Sequence, residues 1–356
     1  MSKIYRILVI NPGSTSTKVG VFENERSLWE ETISHNRGEL KQFDTIWSQL
    51  DFRKQALTEL IHQKALNLKS LDAVLGRGGL LRSLMGGTYR VTPQMIEDAR
   101  VGLQGEHASN LGCALAAYVA EQAGCPAFVV DPISVDEFEP LARYSGHPLL
   151  ERKSLAHTLN IHAVSRWVAR EMNIPFEKSR FVVAHLGGGI SVAPVKGGRI
   201  VDVNDASSAG PFSPERTGTL PLQGFITLCF SDNYTEKKMR HLVMGEGGLV
   251  AYLGTNNAME VENRIEHGDT KAAEVYEAMA YQISKEIAAM ASVLSGRVNA
   301  IILTGGLAQS TRLTGWIEER VHFIAPVKRV PGEFEMKAMA EGALRVLLGE
   351  EKALGY

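Results

Sequence analysis

Two short apolar runs, Leu8–Ile10 and Val19–Phe22, flank the polar stretch Asn11–Lys18 near the start of the chain. Runs of this length, bounded by Asn, Pro, Gly and Ser, predict two strands joined by a bend. The plan recurs in "FVVAHLGGGISVAPVKGGRIVDV", Phe181 to Val203, where Gly187, Gly188 and Gly189 stand in the place of Gly13, Ser14 and Thr15. Spelling is poorly kept between the two, so the likeness is one of pattern. Further on, Val275, Met279, Ile283 and Ile287 recur every fourth residue in "TKAAEVYEAMAYQISKEIAAMASVLSG", which predicts a long helix with one buried stripe, ended by Gly296. It leads into "VNAIILTGGLAQS", an apolar strand that stops at Gly305 and Gly306. Strands alternating with helices, with hairpins among them, predict an α/β protein of two similar domains with mixed sheets flanked by helices. Gly and Pro interrupt the pattern between Ala142 and Ser154. The expected domains are therefore residues 1–150 and 151–356, the last helix being free to pack back on the first.

Both bends admit two readings. A solvated turn uses Asn, Pro, Gly and Ser; so does a phosphate cradle built from backbone N–H groups, hydroxyls and the Lys18 ammonium. The duplication favours the second reading, because two such cradles in two similar domains serve one ligand. Several polar residues also sit where apolar runs stop, which is where α/β proteins collect catalytic groups. They are Arg77 after "LDAVLG", Asp131 after "AFVV" and His185 inside "FVVAHLGGG", joined by His107, His157, Arg216 and Glu335. Each alone has a structural explanation, as a carboxylate fork, a turn former or a solvated charge. Their joint placement is what points to chemistry.

Composition narrows the partners. A length of 356 residues with 44% hydrophobic content supports the cores of two domains. A net charge of -2 with the signs interspersed lacks the basic stripe that nucleic acid or an anionic membrane would require, so small-molecule ligands are expected. The first apolar run is too short for a signal peptide and no segment approaches the roughly 18 apolar residues of a membrane span, which predicts a cytoplasmic protein. Cys113, Cys125 and Cys229 form no CxxC pair, which argues against a disulfide framework and a structural zinc site. Neither G-x-x-x-x-G-K-[ST] nor a G-x-G-x-x-G after a strand occurs. Phosphate binding would rest on hairpin bends.

Taken in order, "VINPGSTSTK", "HLGGGIS", "PERTG" and "ILTGGLAQS" resemble the acetate and butyrate kinase family, within the sugar kinase, heat-shock ATPase and actin superfamily. The resemblance covers essentially the whole chain. NPGSTSTK with HLGGGIS, in a chain shorter than typical acetate kinases, looks most like the butyrate and branched-chain fatty acid kinases. It implies an actin-like duplicated fold with a nucleotide cleft between its domains. It further implies reversible transfer of the γ-phosphoryl group of ATP to a short-chain fatty acid, butyrate or isobutyrate, giving acyl phosphate and ADP. Mg2+ and assembly as a homodimer or higher homo-oligomer are part of the same implication. The residue types fit: a carboxylic acid is already ionised near neutral pH, so the reaction needs cations and fixed donors more than a base.

Carried over by resemblance, Arg77 and Arg216 match the family arginines that hold the carboxylate and stabilise the transferring group. His185 matches the histidine thought to contact that group, His157 a second lining the site, and His107 a third nearer the acid. Asp131 resembles an aspartate linked to metal and arginine positioning, and Asn11 and Glu335 resemble the groups around Mg2+. Ser14, Ser16 and Lys18 fall in the first phosphate motif, Gly187, Gly188 and Gly189 in the second, and Gly305 and Gly306 in the adenosine motif. Two departures stand out. Thr255–Met259 replaces a stretch that normally carries an acidic residue and a base-stacking Arg, so purine contacts are expected to differ. Gly79 and Ala156 stand where acetate kinases carry bulky apolar residues, and are expected to open room for further methylenes. Competing readings are an acetate or propionate kinase, a sugar kinase, whose hydroxyl nucleophile needs a base, and an actin- or heat-shock-type ATP-binding module.

Overall fold

The computed structural model describes residues 3–356. The chain forms two compact units, one running up to Asp136 and completed by Phe334–Tyr356, the other spanning Glu137–Glu333. The passage between them lies ahead of the Gly- and Pro-containing stretch Ala142–Ser154, and the last helix, Glu335–Leu347, belongs to the first unit.

The first unit holds a six-stranded sheet of β1 (Arg6–Pro12), β2 (Ser16–Glu23), β3 (Arg26–Ser34), β4 (Ala73–Arg77), β5 (Thr88–Arg90) and β6 (Ala127–Val130), in the order β3-β2-β1-β4-β6-β5. The second holds β7 (Arg180–Leu186), β8 (Ile190–Lys196), β9 (Arg199–Ile200), β10 (Ala300–Gly305) and β11 (Val327–Pro331), in the order β11-β10-β7-β8-β9. The two plans coincide. β1 runs antiparallel to β2 and parallel to β4, and β4 parallel to β6; β7 runs antiparallel to β8 and parallel to β10, and β10 parallel to β11. The repeated hairpin read from sequence is thus the visible part of a duplicated sheet.

Burial explains why the central strands read as unbroken apolar runs. Ile7 to Ile10 of β1 and Phe181 to Leu186 of β7 are all buried, because helices cover both faces of a central strand. In the first unit Leu57, Leu60 and Ile61 of helix Leu50–Gln63 and Leu111, Leu115 and Val119 of helix Leu111–Ala123 pack with Leu8, Ile10, Val19 and Val74. Helix Glu335–Leu347 packs on β1, β4 and β6, which sets Glu335 beside the ends of those strands. In the second unit the expected long helix runs Thr270–Val293, with Val275, Met279, Ile283 and Ile287 buried against β7, β8 and β10. Ser295 and Gly296, both at positive φ, terminate it. Among the described residues no helix is long and apolar enough to cross a membrane, and all three cysteines are free.

One buried histidine in the first unit yields a pH prediction. His35 lies with Nε2 2.9 Å from Thr17 Oγ1, and burial, aided by the Arg53 guanidinium, holds its pKa down to about 4. Unfolded histidine titrates near 6.5, so below that pH the unfolded chain takes up a proton that the folded chain refuses. Stability is therefore lost as pH falls from 6.5 towards 4, by about 2 kcal/mol at pH 5. Urea unfolding at pH 7 and pH 5 should show a smaller acid loss for His35→Gln than for wild type. Equal losses would show that His35 does not couple to folding.

Candidate active site

In the first unit the ends of β1, β2, β4 and β6 and the start of the last helix bring the expected residues together. Arg77, the final residue of β4, is buried and donates from NH1 to the Asp131 carbonyl at 3.1 Å. Its Nε lies 3.6 Å from Glu335 Oε1, while Glu335 Oε2 accepts from Asn11 Nδ2 at 2.7 Å. Arg77 is thereby held on one side only, and its second terminal nitrogen has no partner among the described residues. Asp131 sits at φ +39° just past β6, with Oδ1 accepting from the Gly87 amide at 2.7 Å. A non-glycine residue in the left-handed region is a local cost that tends to be kept at functional sites. Here it turns the Asp131 carbonyl to Arg77.

The hairpin register places Lys18 opposite Asn11. Side chains alternate along a strand, so Asn11, Ser16 and Lys18 share one face of the hairpin and Thr17 takes the other. Lys18 is exposed and has no carboxylate partner among the described residues. His107 Nδ1 accepts from the Ser109 amide at 3.2 Å and lies 3.0 Å from Ser109 Oγ. Desolvation, followed by the Arg77 guanidinium, lowers its pKa, with Glu335 pulling the other way. An accepting Nδ1 on a neutral ring leaves the proton on Nε2, as a donor.

The second unit collects the other set around the β7–β8 bend. His185, on β7, is buried and stacks on His157, with ring centroids 3.9 Å apart and planes 10° from parallel. His157 Nδ1 lies 3.0 Å from Ser191 Oγ. Asn160, in the first turn of helix Thr158–Glu171, reaches His185 Nδ1 at 2.9 Å and Thr304 Oγ1 at 3.1 Å. Burial, with His157 beside it, holds the His185 pKa well below its ordinary value. His185 is therefore a neutral hydrogen-bonding group at pH 7, not a cation. Arg216 supplies the charge: it donates from NH1 to the Ala206 carbonyl at 3.0 Å and has no carboxylate partner among the described residues.

The glycines of the bend serve close approach. None of Gly187, Gly188 and Gly189 has positive φ, but a Cβ on Gly189 would come within 2.3 Å of Arg216 NH1. The guanidinium thus lies directly on the bend. Ser213 Oγ, donating to the Gly188 carbonyl at 2.5 Å, ties the Arg216 loop to it. Gly305, at φ +89°, closes β10 beside Leu186, and Gly306 opens into free space. Three buried polar atoms near the bend, His185 Nε2, Asn160 Oδ1 and Arg216 Nε, lack a hydrogen-bond partner among the described residues. Buried polar groups are nearly always paired, so these three have hydrogen-bonding capacity left for a polar group from outside.

A family profile described as the Acetokinase family matches residues 143–316. Butyrate kinase 2 of Clostridium acetobutylicum is 49% identical to this chain over 353 residues, covering 99% of both proteins. This chain belongs to the acetokinase family. A probable butyrate kinase of Listeria innocua is also 49% identical over 353 residues, again 99% of each chain. Among solved structures, the acetate kinase of Porphyromonas gingivalis matches with a TM-score of 0.79 at 17% identity, covering 97% of this chain and 100% of that one. At that identity the likeness shows a shared fold.

One sequence expectation changes. The space that Gly79 was expected to open is filled: a Cβ there would lie 2.1 Å from Asn110 Oδ1 and 2.7 Å from Asn110 Cα. Gly79 admits Asn110, whose Oδ1 accepts from the Leu80 amide at 2.8 Å, and not extra methylenes. Ala156 alone remains of that argument. The departure at Thr255–Met259 has a structural use, since Asn257 Oδ1 caps helix Ala258–Glu266 by accepting from the Met259 amide at 3.0 Å. Sequence reading missed Ser191, Asn160 and Ser109, the partners of the three histidines. Ser191 had a signal, because the register of the β7–β8 hairpin sets it opposite His185.

Among the described residues no group of three or more His, Cys, Asp or Glu side chains is arranged to hold a metal ion. The hydrogen-bonded pair Asn11 and Glu335 fits Mg2+ nonetheless, because that ion takes one or two protein oxygens and completes its shell with water and phosphate.

Proposed function

We propose that this protein is a carboxylate kinase, transferring the γ-phosphoryl group of ATP reversibly to butyrate to give butyryl phosphate and ADP. The observation that carries the reading is near-full-length identity of 49% to proteins named butyrate kinases. Two features support it. Arg77 has an unpaired terminal nitrogen and Arg216 has no carboxylate partner among the described residues, which leaves two cations for anions. The histidines beside the β7–β8 bend and near Arg77 have shifts that favour the neutral form at His185 and His107, so they act as donors.

In this reading a carboxylate oxygen of the acid attacks the γ-phosphorus, the bond to the bridging oxygen breaks, and ADP leaves with its electron pair. The acid is ionised at pH 7, so no residue need take its proton. The obstacle is repulsion between anions. Arg77 offers its fork to the carboxylate, with Asp131 and Glu335 fixing its plane. Arg216 and the neutral His185 Nε2–H meet charge on the phosphoryl oxygens, an electrostatic contribution that grows in a site that excludes water. Ser14, Ser16, Lys18 and the glycine bend hold the nucleotide phosphates, and Gly305 with Gly306 lets the adenosine approach closely. Asn11 and Glu335 would hold Mg2+, which when bound neutralises phosphate charge. The same reading includes a homodimer or higher homo-oligomer working in the cytoplasm, with sedimentation as the check on assembly.

Trapping acyl phosphate with hydroxylamine across acetate, propionate, butyrate, isobutyrate and valerate tests the proposal. We expect ATP- and Mg2+-dependent hydroxamate with a maximum at butyrate or isobutyrate. A maximum at acetate or propionate would keep the chemistry and move the substrate to the shorter acids. No hydroxamate from any acid would overturn the kinase reading.

A further inference from the structure

Beneath the β1–β2 bend lies a guanidinium that the proposed reaction does not use. Arg53, on helix Leu50–Gln63, is fully buried and has no carboxylate partner among the described residues. Its NH1 donates to the carbonyls of Gly13 at 2.8 Å and Ser16 at 3.0 Å and to Thr17 Oγ1 at 3.1 Å. Its NH2 donates to the Ser14 carbonyl at 3.2 Å and to Gln49 Oε1 at 2.9 Å, and Nε donates to the same Gln49 oxygen at 3.2 Å. The remaining carbonyl of the bend, that of Thr15, accepts from the His35 amide at 2.9 Å, while the Ser16 carbonyl also accepts from the Gly13 amide at 2.8 Å.

Every carbonyl from Gly13 to Ser16 is thus engaged within the fold. The amides of Ser14 and Thr15, both exposed residues, have no partner among the described residues. Consecutive free N–H groups in a bend whose carbonyls are turned away form an anion-binding concavity. Burial of an ion without a counter-ion is costly, and burial lowers the Arg53 pKa to about 10, which still leaves it protonated at neutral pH. A fold that only needed to tie down a bend has cheaper means, such as a neutral amide. The uncompensated charge is explained if an anion completes it from the outside.

The structure assigns Arg53 the role of a positioning residue for nucleotide phosphate: it fixes the Gly13–Ser16 bend with the amides of Ser14 and Thr15 outward, and its unpaired positive charge attracts the phosphate that the bend receives. The inference rests on the nucleotide reading given above, and Gln49 supplies a clean test of it. Gln49→Glu is isosteric and keeps an oxygen on both Arg53 nitrogens, so the bend stays held while the charge is neutralised.

Binding of MgADP and of adenosine is measured by calorimetry on wild type, Gln49→Glu and Arg53→Lys, with circular dichroism and melting temperature as checks on folding. Gln49→Glu should melt at or above the wild-type temperature, bind MgADP about tenfold more weakly, and bind adenosine as wild type does. Arg53→Lys keeps the charge but loses the fork, and should also weaken MgADP selectively. Unchanged MgADP affinity in Gln49→Glu, or parallel loss of MgADP and adenosine, overturns the role of the charge. If Gln49→Glu does not fold, the same comparison in Arg53→Lys decides the positioning role by the same criterion. Wild type that binds MgADP without making hydroxamate would sink the carboxylate kinase reading and leave this inference standing; active wild type with unchanged MgADP affinity in Gln49→Glu does the reverse.

Discussion

Arg216→Ala is expected to lower kcat for hydroxamate formation by about 10³-fold or more while leaving the circular dichroism spectrum and melting temperature close to wild type. The asymmetry follows from how little the fold asks of this side chain. Arg216 is half-buried, its NH1 bonds one carbonyl, that of Ala206, and its Nε has no partner among the described residues. A cation in that position contributes little to stability and is free to meet charge that develops on a phosphoryl group. Arg216→Lys should recover only part of the loss, because a point charge cannot reproduce the planar fork. Arg77→Ala should fail differently. Arg77 is buried and adjoins Glu335, so its removal should raise KM for the acid as well as lower kcat, and cost stability by leaving the carboxylate without its cation. Near-normal turnover in a folded Arg216→Ala protein would remove that residue from the mechanism.

Gly189→Ala is expected to lower kcat by about 10²-fold, as a displacement of roughly 1 Å in a catalytic group commonly does. The φ of Gly189 lies outside the left-handed region, so an alanine strains nothing in the backbone. Its Cβ would nevertheless lie 2.3 Å from NH1 and 2.7 Å from Cζ of Arg216. A flexible side chain yields before the hairpin does, so the protein should fold normally with its guanidinium pushed aside. Gly188→Ala is the comparison: its nearest neighbour is Glu215 Oε1 at 3.4 Å, so the added methyl leaves the Arg216 guanidinium in place, and any loss should appear in MgADP affinity and not in kcat. Combining Gly189→Ala with Arg216→Ala should be no worse than Arg216→Ala alone, since both act on one group. Additive losses would mean that Gly189 serves the nucleotide directly and not through Arg216.

The contrast between these glycines and Gly79 shows where sequence reasoning stops. At all three sites the chain shows only a missing side chain. Whether the space goes to a ligand, as sequence suggested at Gly79, or to a protein group depends on which segment lies across from it. Asn110 fills the position over Gly79 and the Arg216 guanidinium the one over Gly189. Arg53 is a similar case. It falls on the stripe of Leu57, Leu60 and Ile61 in its helix, a slot that binary patterning reserves for the core, and nothing in the sequence says which backbone its charge meets there.

What the sequence determined by itself was local and periodic. The two hairpins, the Thr270–Val293 helix and the strand ending at Gly305 follow from apolar spacing and turn residues, because short-range sterics and burial periodicity act within a few residues of chain. The ordered motifs were enough to place the chain among the acetokinases. Tertiary structure alone decided which polar groups meet. It brought Glu335, 324 residues from Asn11 along the chain, to that side chain, stacked His157 on His185 and set the Arg53 charge under the bend. These contacts are made between segments remote in sequence, through burial and hydrogen bonds that have no periodicity to read, and they decide which histidine stays neutral and which cation stays free for an anion.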